Sequence, residues 1–126
     1  MARVLVVDDD DLLRETVILA LERAHHTVHQ AGDGLTALEV LDRESVDVVV
    51  SDIVMPEVDG IGLILAMRKR HPRLRVVAMS GGGRTRNMDF LRMASALGAH
   101  ATLPKPFTPD QLLAAVNAAL NAPDKP

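Results

Sequence analysis

The stretch Asp47-Val48-Val49-Val50-Ser51-Asp52 decides the fold. Three successive valines, with Val46 just before Asp47, offer no polar face. A strand over 47–51 must therefore be covered on both sides, as strands of a parallel sheet are. It runs into a carboxylate, Asp52. Outward from it the same figure recurs. Arg3–Val7 runs into Asp8 and Asp9, residues 75–79 run into Ser80, and residues 100–103 lead through Pro104 to Lys105. A shorter run covers 27–30. Between these β-branched-rich runs lie segments of helical periodicity, so the chain reads as five strand–helix units of an open α/β sheet. Ligands of such sheets bind outside the carboxyl ends of the strands. Three carboxylates, a hydroxyl and an ammonium thus converge on one rim.

The helices follow from caps and apolar stripes. Asp10 or Asp11 is placed to cap a helix carrying Leu13, Val17, Ala20, Leu21 and Ala24. Gly32-Asp33-Gly34 turns the chain into a helix packed through Leu35, Leu38 and Leu41. A loop over 52–59 leads to a helix carrying Ile61, Ile64 and Met67, stopped by His71-Pro72. Three glycines from Gly81 open a loop before a helix with Phe90, Met93, Ala94 and Leu97 on one face. Gly98 is its C′ residue. Thr108, Pro109 and Gln111 spell a capping box before the last helix. Right-handed crossovers put helices on both faces. The flavodoxin-like strand order 2-1-3-4-5 suits this doubly wound pattern and makes the first and third strands neighbours. Residues 1–121 form one domain in this reading, and 122–126 a short polar tail.

The 126 residues suffice for a single domain with a real core. With 14 basic and 17 acidic residues the net charge is −3, so no overall basic field exists to hold nucleic acid or an anionic membrane. Aromatics are 2 %, which removes base stacking as a binding mode. The absence of cysteine excludes disulfides, thiolate metal sites and cysteine nucleophiles. No run is long enough to span a bilayer, and a cytoplasmic location is the default expectation.

Carboxylates crowded together repel unless a cation joins them. A hard divalent ion, Mg²⁺ or alternatively Mn²⁺, accepts one or two carboxylates and keeps room for a phosphoryl oxygen. One carboxylate is then free to act as nucleophile, since aspartate forms acyl phosphates. Asp52 is the candidate, standing alone at the tip of the central strand, with Asp8 and Asp9 holding the metal. A transferred phosphoryl group wants donors and positive charge around its oxygens. Lys105, Ser80 and the Gly81 N–H supply them.

Val6-Val7-Asp8-Asp9, Ser51-Asp52-Ile53-Val54-Met55-Pro56 with Asp59-Gly60, Met79-Ser80-Gly81 and Lys105-Pro106-Phe107 together resemble the receiver domain of two-component response regulators, of the single-domain, chemotaxis-regulator-like kind. The resemblance covers essentially the whole chain. It implies that Asp52 accepts phosphate from a histidine kinase or phosphotransfer protein. It implies Mg²⁺ held by Asp9, Asp52 and the Val54 carbonyl, with Asp8 assisting through water. Ser80 becomes the switching contact to the phosphoryl group and Lys105 its ion-pair partner, with a cis bond before Pro106. Such a protein is a phosphoacceptor switch rather than an enzyme acting on other molecules, and catalyses only its own phosphorylation and dephosphorylation.

Three departures stand out. Thr102 occupies the position of the family's switch aromatic, so the usual coupled ring rotation cannot occur. Val54 and Gly82 flank the acceptor where many relatives are polar. The stretch from Gly81 to Asn87 is longer than usual and is expected to move. The expected output is a protein-binding surface formed by the helix around Phe90–Leu97, the fifth strand and the last helix, with Met88 and Leu91 facing outward.

Each part also has a plainer reading. Asp10 and Asp11 are taken as helix-start acids, and His25, His26, His29, His71 and His100 as surface or helix-end residues without ligand spacing. Asp52 alone would be a turn aspartate, and Lys105 alone a loop lysine. Rival assignments are a receiver cut from a larger regulator or hybrid kinase, a pseudo-receiver serving only for interaction, and an aspartyl-phosphate hydrolase. Val54 opposes the last, because that chemistry wants a carboxylate two residues after the nucleophile. The run from Met1 to a polar tail favours a stand-alone chain, monomeric or weakly dimeric.

Overall fold

Strands β1 (Arg3–Val7), β3 (Val48–Asp52) and β4 (Arg75–Ser80) are buried along nearly their whole length, as their unbroken valine-rich runs require. In this computed structural model, which describes residues 1–53, 60–80, 92, 95, 96 and 98–123, they form the middle of one parallel sheet. The edges are β2 (Thr27–Ala31) and β5 (Ala101–Pro104), and the order is β2-β1-β3-β4-β5. Register pairs Val7 with Ser51 across β1 and β3, and Asp52 with Met79 across β3 and β4. The strand tips are thereby levelled along one rim.

Side chains alternate between the two faces of each strand. Val4, Val6, Val48, Val50, Val77 and Met79 enter the core beneath α1 (Asp11–Arg23) and α4 (Pro109–Asn121). Leu5, Val7, Val49, Val76 and Ala78 enter the core beneath α2 (Gly34–Arg43) and α3 (Gly60–Arg70). Arg92, Ser95 and Ala96 are also helical. Phe90, Met93, Ala94 and Leu97, the stripe expected there, lie outside the described residues, as do Met88 and Leu91.

The caps expected at Asp10, Thr108 and Gly98 are found, and Asp33, expected only as part of a turn, caps α2. Asp10 accepts from the Leu13 N–H at 3.2 Å. Asp33 accepts from the Thr36 N–H at 2.8 Å, and that bond holds its carboxyl below the usual carboxylate value. Thr108 and Gln111 form both arms of the capping box, at 3.1 and 2.8 Å. Gly98 has φ of 118° and its N–H bonds to the Ser95 carbonyl, so it closes that helix in a conformation suited to glycine.

The face of α2 differs from the expected Leu35–Leu38–Leu41 stripe. Leu35 is 69 % exposed, and the buried positions are Ala37, Val40 and Leu41. This helix has apolar residues on several sides, and the side turned to the core carries Ala37, Val40 and Leu41, with Leu38 partly buried beside them. Asp52 and Ser80 are the last residues of their strands rather than the first of their loops. β2 continues to Ala31, and β5 starts one residue later than expected.

Candidate functional site

The rim at the strand carboxyl ends carries the chemistry. Asp8 follows β1 directly, Asp52 ends β3, Ser80 ends β4 and Lys105 follows β5. Single carboxylate oxygens of Asp8, Asp9 and Asp52 lie within 4.8 Å of one another. The Lys105 Nζ bridges two of these acids, donating to Asp8 Oδ2 at 3.0 Å and Asp52 Oδ2 at 3.2 Å. Asp8 is fully buried and Asp52 is 5 % exposed. Burial works against the Lys105 ammonium, but the Asp52 and Asp8 carboxylates outweigh it and hold its pKa above the ordinary 10.5.

The acids are held differently. Asp8 Oδ1 accepts from the Asp10 N–H at 2.9 Å while Oδ2 receives Lys105, so both its oxygens are engaged. Its own N–H reaches the Ala31 carbonyl of β2. Asp9 is exposed and makes no side-chain hydrogen bond among the described residues. The Asp52 main chain is fixed on both sides, with the Ser51 hydroxyl donating to its carbonyl and the next N–H, that of Ile53, bonded to Met79. Ser80 Oγ is buried and has no partner among the described residues. An orphaned hydroxyl of this kind needs a ligand or water.

Among the described residues, three carboxylates meet one shared ammonium. That donor set, all oxygen and anionic, suits a hard divalent cation. The residues present therefore fit Mg²⁺. Val54 and Gly81, expected to add a carbonyl and an N–H, lie outside the described residues. The bond before Pro106 is cis, and the Lys105 N–H is tied to the Ser80 carbonyl at 2.7 Å. Thr102 is exposed on the edge strand β5.

A cleft of about 470 Å³ runs from Asp52 and Lys105 between α1 and α4, walled by Leu13, Val17, Phe107 and Leu112. A larger one, about 900 Å³, lies at the opposite end of the sheet among residues such as His26, Asp47, Arg70 and Arg75, and touches none of the rim acids. No histidine joins a metal-sized cluster among the described residues. His26 and His100 instead accept backbone N–H groups of Ala2 and Val76. No helix among the described residues is long and apolar enough to cross a membrane.

Comparison with known proteins settles the family. The response regulator receiver domain profile matches residues 4–117. This chain belongs to the response regulator receiver domain family. The receiver is 39 % identical over 125 residues to the sensor kinase CckA of Brucella abortus, covering 98 % of this chain but 13 % of that protein. Among solved structures, NtrX from Brucella abortus superposes with a TM-score of 0.88 at 33 % identity, over 94 % of this chain and 26 % of NtrX. The chemotaxis response regulator CheY4 of Vibrio cholerae superposes with a TM-score of 0.82 at 30 % identity, over 95 % of this chain and 99 % of CheY4. The receiver spans 13 to 50 % of the length of the first curated relatives it matches.

Arg14 was not foreseen as part of the site. Its guanidinium donates to the Asp8 carbonyl at 2.6 Å, to Asp11 at 2.6 Å and to Gln30 at 3.0 Å. Its i,i+3 spacing from Asp11 is visible in the sequence, but Asp8 in the turn after β1 and Gln30 in β2 reach it only in the fold.

Proposed function

We propose that Asp52 is the phosphoacceptor of a two-component phosphorelay. The donor is a phosphohistidine of a histidine kinase or phosphotransfer protein. An Asp52 oxygen attacks phosphorus, the P–N bond breaks with its electron pair returning to the imidazole, and an acyl phosphate forms on Asp52. The observation that carries this reading is the Lys105 ammonium shared by Asp8 and Asp52 beside a Ser80 hydroxyl that has no partner among the described residues. A phosphoryl group on Asp52 gives both donors an oxygen to bind. Mg²⁺, when bound, offsets the charge of the phosphoryl oxygens. Asp9, Asp52 and the Val54 carbonyl would hold it, with Asp8 acting through water because both its oxygens are already engaged.

Transfer of the Lys105 and Ser80 contacts to the phosphoryl group shifts the domain between two surface states. The downstream partner is a protein bound at the face of β5, α4 and the helix before Gly98. With Thr102 in place of an aromatic, Ser80 and Lys105 carry the switch. We place the domain at residues 1–121 and the protein in the cytoplasm.

Incubation with Mg²⁺ and acetyl phosphate or phosphoramidate, read by intact mass, tests this. One phosphoryl adduct is expected, absent in Asp52→Asn. An adduct that survives the substitution, or none on the wild type, overturns the reading.

A further inference from the structure

The acid with the least side-chain restraint is Asp9, which the proposed function needs as a metal ligand. What aims it is the backbone. The peptide joining Asp8 to Asp9 is planar, so fixing its carbonyl places the Asp9 N and Cα, and the Asp10 N–H on Asp8 Oδ1 at 2.9 Å restrains the backbone on the other side of Asp9. Arg14 Nη1 grips that carbonyl at 2.6 Å. The guanidinium is itself held in place, chiefly by Nε on Gln30 Oε1 in a side chain only 14 % exposed, while Nη2 reaches the exposed Asp11 Oδ1. The Asp8 N–H is tied to Ala31, in the same strand as Gln30. Both flanks of the turn are thus anchored, one directly to β2 and the other through Arg14.

We infer that Arg14 is a positioning residue for the metal site, holding the Asp8–Asp9 peptide so that Asp9 faces Asp52. The inference rests on the metal reading above, but its anchor is a separate set of bonds. An ammonium cannot serve three divergent acceptors as a planar fork does. Outer-shell partners of metal ligands commonly change affinity by about 10- to 100-fold. The Arg14–Asp11 pair by itself is a solvent contact, since Asp11 is 83 % exposed, and contributes little.

The test compares Mg²⁺ dissociation constants of folded wild type, Arg14→Ala, Arg14→Lys and Asp11→Asn. Hydrogen exchange of the Asp9 and Asp10 amides is followed without metal. Both Arg14 variants are expected to bind Mg²⁺ about tenfold more weakly and to exchange those amides faster, with Asp11→Asn close to wild type. General destabilisation would lower the melting temperature without changing affinity in the folded state. Should Arg14→Ala not fold, Arg14→Lys carries the test. Wild-type affinity and exchange in Arg14→Lys overturn the inference. A wild type that binds no Mg²⁺ overturns the function reading, while the exchange data still report on the anchor.

Discussion

Lys105 bridges two buried acids, and its removal has separable consequences. Lys105→Ala removes the bridge between the buried Asp8 and Asp52 carboxylates, which costs about 3 kcal/mol in the metal-free protein. Urea unfolding is expected to show that loss, and Mg²⁺ to recover part of it by binding the native state. An unchanged midpoint would contradict the bridge. Titration gives a second handle. Folding raises the Lys105 pKa above 10.5, so its stabilisation is complete below 10.5 and is lost as the pH climbs through the folded-state value. The chain has no tyrosine or cysteine and only two other lysines, Lys69 and Lys125. Unfolding midpoints on either side of pH 10.5 should therefore fall in wild type and stay level in Lys105→Met. At Asp9 the expected trade runs the other way. Asp9→Asn removes repulsion at the rim and should raise metal-free stability by about 0.5 kcal/mol while abolishing the Mg²⁺-dependent rise in melting temperature. A retained rise would remove Asp9 from the metal site.

At the level of elements, the capping box before α4 offers a local check. Thr108→Ala deletes an acceptor for the Gln111 N–H and is expected to cost about 1 kcal/mol, read as a lower urea midpoint. A change within error would mean that packing of Leu112, Val116 and Ala119 alone sets that helix. The elements that sequence reading located well share a property: each has one decisive signal. The Val48–Val50 run is apolar on both faces, Thr108-Pro109 starts a helix, and Gly98 ends one. The phase of α2 was illegible because Leu35, Ala37, Leu38, Val40 and Leu41 offer overlapping stripes, and only the shape of the sheet chooses among them. Asp8, Asp9, Asp52, Ser80 and Lys105 were legible as a group because parallel strands share one carboxyl rim. Arg14 was not, since residues 8 and 30 become its neighbours only through the β1–β2 pairing and the start of α1.

For the molecule as a whole, the last strand and helix complete both the core and the rim. Leu112, Val116 and Ala119 close the layer over Val77 and Met79, so a chain stopped before Ala101 should lose cooperative unfolding. A sharp denaturation transition in that truncation would show that β1–β4 are self-sufficient. The bridge from Lys105 to Asp8 joins positions 97 apart in sequence. A polypeptide still emerging from the ribosome therefore owns the acids long before it owns their counter-charge. A chain stopped before Lys105 has Asp8 and Asp52 in place without the ammonium that bridges them.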